Sequence, residues 1–245
     1  MPFQLVDAPP EPPLLPGIGA LTLPLFNSTQ WVNVVPQTII CLGKNYPEHA
    51  RELGTAPPAE PLLFAKAPSA LTASGEAIIH PGADVGRVDY EAELAVIIGK
   101  QAWQIPRENA FEFIFGYTAL NDVTARELQA TFGSRGHPWF LAKSFATFCP
   151  VGPQVVLQED LDPSDLEVEC FVNGEMRQQG RTSQMLHDIP TLVEFISARL
   201  PLLPGDIIAT GTPAGIGPIV PGDEVVVHVE SIGDLVNPVI ASGEQ

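Results

Sequence analysis

The sequence predicts a β-rich α+β domain, and three observations carry that expectation. Short apolar or alternating runs, each bounded by proline or glycine, recur along most of the chain. Only about three segments combine helical spacing with helix start and stop signals. No repeat period long enough for a solenoid is present. With 245 residues, 45% of them hydrophobic and 17% charged, the chain has side chains enough for one large core.

The elements follow in order. Residues 1–37 hold Pro9, Pro10, Pro12, Pro13, Pro16, Pro24 and Pro36. Proline interrupts helices and ladders alike, so an extended or loosely stranded N-terminal segment is expected, without a core of its own. The main domain is expected over 38–245. "TIICLG" reads as a buried strand, and "PEHARELG" as a short helix with Pro47 near its start and Gly54 past its end. "PLLFAKAPSAL" and "GEAIIHPG" are strand-like. Residues 88–99 alternate with period two and predict a single strand. "FIFGYTALND" is a further apolar run. "VTARELQATFGSRG" reads as a helix, with Thr124 and Glu127 at the spacing of a capping box. "EVECFVNGEMRQQG" predicts a hairpin turning at Asn173-Gly174. "DIPTLVEFISARL" predicts a helix capped by Asp188 and stopped by Pro201. Pro-Gly-Asp followed by a β-branched strand then occurs twice, at 204–209 and 221–229.

Composition narrows the function classes. A formal net charge of −17 repels phosphate backbones and anionic lipid, so nucleic acid and membrane surfaces are poor partners. There is no apolar run of about 18 residues, and the start lacks the basic and long apolar parts of a signal peptide. Cys41, Cys149 and Cys170 are odd in number and sit in apolar runs, which predicts reduced core thiols and a cytoplasmic protein.

The stretch "DYEAELAVIIGK" (89–100) carries the chemistry. Alternation sends Tyr90, Ala92, Leu94, Val96 and Ile98 to one face and Glu91 and Glu93 to the other, about 7 Å apart along the strand. That separation lets both carboxylates converge on one ion; without one, repulsion raises the pKa of one of them. Oxygen-only ligands point to Mg²⁺, Mn²⁺ or Ca²⁺. The alternative is a solvated strand face. Asp122 ends the next apolar run and would complete a set of three, or would instead face the positive end of the following helix. Arg126 and Gln129 share a helix face and fit a substrate carboxylate or carbonyl, or else a polar surface stripe. Lys143 lies in "PWFLAKSFATF", where a lysine either meets an anion or snorkels to solvent. His49 and Glu52, at i and i+3, form either a general-base pair or a surface pair. "ATGTPAGIG" (209–217) is a glycine-rich turn whose amides could bind an oxyanion. It matches neither a dinucleotide fingerprint nor a P-loop.

Taken in order, "CLGKNYPEHARELG", "DYEAELAVIIGK", "GYTALNDVTARELQ", "PWFLAKSFATFCPVGP", "VNGEMRQQG" and "GDIIATGTPAGIGP" resemble the fumarylacetoacetate hydrolase family, most closely its short acylpyruvate hydrolase and oxaloacetate decarboxylase members. The resemblance spans roughly residues 38–240. It implies a mixed β-sandwich roll, a homodimer, and a Mg²⁺ or Mn²⁺ ion (Ca²⁺ being an alternative) on Glu91, Glu93 and Asp122. It implies His49, Glu52 and Lys143 as catalytic residues and Arg126, Gln129 and Thr212 as substrate-binding ones. The expected activity is hydrolysis of the C–C bond of acylpyruvate-type 2,4-diketo acids. The alternatives are oxaloacetate decarboxylation, 2-hydroxyhepta-2,4-diene-1,7-dioate isomerisation and decarboxylation in aromatic catabolism, or a non-catalytic keto-acid or metal binder.

Overall fold

The strand Ala92–Ile98 is buried along its whole length and organises the molecule. Its even-numbered residues, from Ala92 to Ile98, enter a large apolar cluster, while Ala95 and Ile97 enter a second one on the opposite face. A strand with apolar cover on both sides has no face left for solvent, so its continuous apolar run follows from its place in the fold. The computed structural model describes residues 3–7 and 19–243. Pro9, Pro10, Pro12, Pro13 and Pro16 therefore lie outside the described residues.

The central strand belongs to a seven-stranded mixed sheet, ordered Leu62–Lys66, Ile39–Gly43, Ile207–Ala209, Ala92–Ile98, Ile114–Asn121, Cys149–Leu157 and Leu71–Ala73. A five-stranded sheet runs Glu175–Arg181, Glu167–Val172, Glu224–Val229, Gly233–Ala241 and Ile78–His80. A small sheet of Thr124–Ala125, Val88–Tyr90 and Gly217–Pro218 lies at the site described below. The strands Phe3–Val6, Trp31–Val34 and Leu21–Pro24 form a fourth sheet; Leu21, Leu23, Val32 and Val34 share the second apolar cluster with Ile39, Cys41, Leu120 and Cys149. Among the described residues the four α-helices are short: α1 (Pro47–Glu52), α2 (Arg126–Ser134), α3 (Phe140–Lys143) and α4 (Ile189–Ser197). The β-rich α+β expectation and the mixed sheets of the roll hold.

Local signals account for several elements. Pro47 opens α1, and Gly54, at φ +68°, follows it. Asn173 and Gly174 both take positive φ in the hairpin turn. Asp188 caps α4 through the Thr191 amide. In the two Pro-Gly-Asp turns the aspartate accepts the amide three residues back, Asp206 from Leu203 and Asp223 from Val220. All three cysteines are free and buried. Among the described residues no helix is long and apolar enough to cross a membrane.

Two expectations are corrected. The strand over 88–99 is broken at Glu91 into Val88–Tyr90 and Ala92–Ile98. The Glu91 amide is taken by the Asn121 side chain instead of a ladder partner, while its carbonyl accepts from the Asp122 amide. The Thr124–Glu127 capping box does not form. Thr124 and Ala125 pair as a strand with Asp89 and Val88, the helix begins at Arg126, and the Thr124 hydroxyl donates to the Asp122 carbonyl.

Candidate metal and catalytic site

Four segments converge at the broken strand. The turn after Ile207–Ala209 runs beside Ala92–Leu94: the hydroxyls of Thr210 and Thr212 donate to the carbonyls of Leu94 and Ala92, each at 2.8 Å, and the Gly211 amide donates to Glu93 Oε2 at 2.7 Å. Asp122 leaves the end of Ile114–Asn121, directly opposite. The result is that Glu91, Glu93 and Asp122, all buried, bring carboxylate oxygens within 4.8 Å of one another.

The positive groups are distributed unevenly over these acids. Lys143, at the end of α3, donates to Glu91 Oε2 (3.0 Å) and Asp122 Oδ2 (2.6 Å), with its ammonium 4.8 Å from the Phe64 ring centre. Arg126 donates to Glu91 Oε1, to Asp89 Oδ2 (2.8 Å) and to Gln129 Oε1 (2.7 Å). Burial pushes Glu91 upward, but Lys143 and Arg126 outweigh it and hold the carboxyl well below its ordinary range. Burial also disfavours charged Lys143; Asp122 and Glu91 more than compensate and raise it. Glu93 receives the Gly211 amide and no ion pair among the described residues. Burial, reinforced by Asp122 and Glu91, raises it well above the carboxylate range. It is the like-charge member that the spacing of Glu91 and Glu93 anticipates.

The donor set therefore fits a hard divalent cation: three oxygen ligands converge, and the like-charge repulsion that raises Glu93 is what such an ion would offset. Glu91, Glu93 and Asp122 would hold that ion.

The other expected residues are close by. His49 Nδ1 and Glu52 Oε2 are 3.0 Å apart on α1, and Glu52 Oε1 accepts the Gly215 amide at 3.0 Å, tying α1 to the glycine-rich turn. Asn45 fixes the approach to this helix, bonding the Thr210 carbonyl and both the amide and the carbonyl of His187. Thr212 is held by its bond to Ala92 and by Gln178, whose Nε2 donates to it at 2.8 Å. A cavity of about 240 Å³ is lined by His49, Glu91, Arg126, Gln129, Lys143 and Thr212, together with Leu42, Lys44, Leu53, Phe64 and Trp139.

Three residues here escaped the sequence reasoning. Lys66, fully buried, donates to Asp122 Oδ1 at 2.6 Å and to the Val123 carbonyl at 3.1 Å. Asp89, also fully buried, receives Arg87 and Arg126. Gln178 joins the Ala92 amide to the Thr212 turn. The signal for Lys66 was available: it ends an otherwise apolar run, as Lys143 does.

The comparisons with known proteins follow this geometry. The family described as fumarylacetoacetate (FAA) hydrolase, C-terminal, matches residues 38–240. The chain belongs to the fumarylacetoacetate hydrolase family. An oxaloacetate tautomerase of Bacillus subtilis is 41% identical over 213 residues, 83% of this chain and 69% of the relative. Among solved structures, a 5-carboxymethyl-2-hydroxymuconate delta-isomerase from Mycobacterium smegmatis superposes with TM-score 0.78 at 47% identity, covering 86% of this chain and 81% of that one. A fumarylpyruvate hydrolase from Pseudomonas aeruginosa, in complex with Mn²⁺ and pyruvate, superposes with TM-score 0.84 at 30% identity, covering 94% and 100%. Family members thus include hydrolases and isomerases, and this chain has the enzyme fold they share.

Proposed function

We propose that the protein is a divalent-metal-dependent hydrolase that cleaves the C3–C4 bond of acylpyruvate-type 2,4-diketo acids. One observation carries this reading: His49, backed by Glu52, lines the same cavity as Glu91 of the acid cluster. A carboxylate at Nδ1 keeps the imidazole proton there and leaves Nε2 as an acceptor for a proton from water. The hydroxide adds to the C4 carbonyl, and collapse of the adduct breaks C3–C4. The acyl part leaves as a carboxylic acid, and the electron pair remains on the pyruvate half as an enolate. The proton held on His49 then passes to C3, giving pyruvate and neutral imidazole. Mg²⁺ or Mn²⁺ on Glu91, Glu93 and Asp122, with Ca²⁺ as an alternative, would supply Lewis-acid stabilisation of charge on the keto-acid oxygens.

Lys143 adds a fixed positive charge beside that charge. A guanidinium has five N–H donors, and three of those on Arg126 are engaged, so two remain for a substrate carboxylate, with Gln129 orienting the group. Thr212 closes the wall. The fumarylpyruvate hydrolase, with its Mn²⁺ and pyruvate, supports this reading.

A second reading is a keto–enol tautomerase, isomerase or decarboxylase of related acids. It is favoured by the higher identity to the Mycobacterium isomerase and the Bacillus tautomerase than to the hydrolase. His49 would then move a proton between carbon and oxygen without activating water. The test is Mn²⁺-loaded protein against acetylpyruvate, oxaloacetate and 2-hydroxyhepta-2,4-diene-1,7-dioate. His49→Ala is expected to cut hydrolysis by about 10²–10⁴-fold while sparing much of any oxaloacetate decarboxylation. Full activity after exhaustive chelation rejects the metal dependence. The homodimer belongs to the same proposal and is checked by analytical ultracentrifugation.

A further inference from the structure

The strand Ile207–Ala209 pairs with the central strand only as far as Ala209 opposite Ala95. Further along that edge side chains take over at Ala92, the single residue between Glu91 and Glu93. The Ala92 amide donates to Gln178 Oε1 at 2.9 Å, and the Ala92 carbonyl accepts from the Thr212 hydroxyl at 2.8 Å. Gln178 Nε2 closes the ring by donating to Thr212 Oγ1 at 2.8 Å. It gives its second hydrogen to the Pro213 carbonyl, also at 2.8 Å.

Gln178 is out of character for its strand. In Glu175–Arg181 its neighbours Met176, Arg177 and Gln179 are exposed, whereas Gln178 is 1% exposed. A buried side-chain amide needs its donors and its acceptor met, and here both hydrogens and the oxygen are engaged. The partners also fix which way the amide faces. Turned over, it would set its NH₂ against the Ala92 N–H and its oxygen against the Pro213 carbonyl. The same strand presses on the same turn at two further points. A Cβ at Gly180 would lie 2.6 Å from Pro213 Cβ, and one at Gly215 would lie 2.3 Å from the Arg177 carbonyl oxygen. The strand Glu175–Arg181, from the five-stranded sheet, is thus the floor on which the turn over 212–215 is laid.

The geometry points to Gln178 as a positioning residue that holds the acid pair and the cavity wall in one register. It acts through Ala92 on the segment that carries Glu91 and Glu93, and through Thr212 on the wall. A hydroxyl has one hydrogen and two lone pairs. The hydrogen of Thr212 goes to Ala92 and one lone pair to Gln178, so the orientation of this hydroxyl is set from both sides. Groups that support metal ligands from behind typically carry about 10–100-fold in affinity or activity. The part of the inference that concerns the wall rests on the keto-acid reading above; the part that concerns the acid pair stands without it.

The experiment measures two affinities by calorimetry: Mn²⁺ for the protein, and pyruvate for the Mn²⁺-saturated protein. Gln178→Met keeps the length of the side chain and removes all three bonds, so both affinities should weaken by about tenfold or more. Gln178→Glu keeps an acceptor for the Ala92 amide but lacks the amide donors. It should hold Mn²⁺ at least as tightly as wild type and still bind pyruvate about fivefold weaker or worse, and it carries the test if Gln178→Met does not fold. Asn173→Ala loosens the tip of the same hairpin, where Asn173 bonds Asp223 and Glu224, and should leave both affinities within about twofold of wild type. In Thr212→Val the partner of Gln178 on the wall is gone, so adding Gln178→Met should weaken pyruvate binding by no more than about twofold further. Unchanged affinities in Gln178→Met, an equal loss in Asn173→Ala, weaker Mn²⁺ binding in Gln178→Glu, or additive pyruvate losses in the double variant overturn the assignment. If wild type takes up Mn²⁺ but no pyruvate, the keto-acid reading falls, and the Mn²⁺ affinities of Gln178→Met and Asn173→Ala decide the inference. If wild type takes up no Mn²⁺, both fall.

Discussion

Lys66→Met removes one of the two ammonium groups that hold Asp122. The lysine side chain is 0% exposed and the Asp122 side chain 1%, with 2.6 Å between Nζ and Oδ1. The substitution leaves a buried carboxylate with Lys143 alone and takes the donor from the Val123 carbonyl. Breaking one side of a buried pair costs about 3–5 kcal/mol. In a domain of this size 1 kcal/mol moves Tm by roughly 2–4 °C, so a fall of roughly 6–20 °C is expected in EDTA. A divalent ion changes the balance. In the metal-free site Asp89, Glu91, Glu93 and Asp122 face Lys66, Lys143 and Arg126, and the Lys66 charge disfavours a further cation. Mn²⁺ at a hundred times its Kd stabilises the wild type by about 2.7 kcal/mol. The variant should gain more at the same concentration, by about 1.4 kcal/mol or above, which is tenfold in affinity. Thermal unfolding of both proteins in EDTA and across a Mn²⁺ series measures both quantities. A loss below about 1 kcal/mol in EDTA, or an equal Mn²⁺ shift in the two proteins, would refute the reasoning.

Glu93 is raised by burial and by Asp122 and Glu91, and a carboxylate must be deprotonated to ligate an ion, so protons compete with the metal at this residue. Mn²⁺ affinity is therefore expected to fall as pH is lowered, with proton release seen as a buffer-dependent heat in calorimetry; a heat that does not depend on the buffer contradicts this. Gly215→Ala should destabilise by about 1–3 kcal/mol, since the residue sits at φ +104° and a Cβ would lie 2.3 Å from the Arg177 carbonyl oxygen. Because the Gly215 amide holds Glu52, hydrogen exchange in α1 should quicken and hydrolysis should slow; unchanged exchange there separates the turn from the dyad.

The legible part of the fold was local. Period-two alternation over 92–98, Asn173-Gly174, the Asp188 cap and Pro47 with Gly54 each state a backbone preference within a few residues, and each recurs in the structure. The break at Glu91 was not legible, because its cause is the side chain of Asn121, thirty residues away. The capping box at Thr124 failed for a similar reason: pairing with Asp89 extended the backbone where the helix would have started.

The site follows the same division. Glu91 and Glu93 advertise themselves by spacing and His49 with Glu52 by helical register; Asp122 is marked in sequence by its place at the end of an apolar run, and tertiary proximity joins it to the pair. Lys66 and Asp89 act on Asp122 and Arg126 across 56 and 37 residues, separations at which sequence carries no geometric signal. Lys66 does share with Lys143 the mark of a lysine in an apolar run, so buried charge is the pattern that would have found it.

The most direct test is an anomalous-scattering crystal structure of the Mn²⁺-loaded protein, paired with calorimetry on Asp122→Asn. One Mn²⁺ per chain, bonded to oxygens of Glu91, Glu93 and Asp122, with affinity at least a hundredfold weaker in the variant, is the predicted result. An ion bound elsewhere, or one bound as tightly by Asp122→Asn as by the wild type, would contradict it.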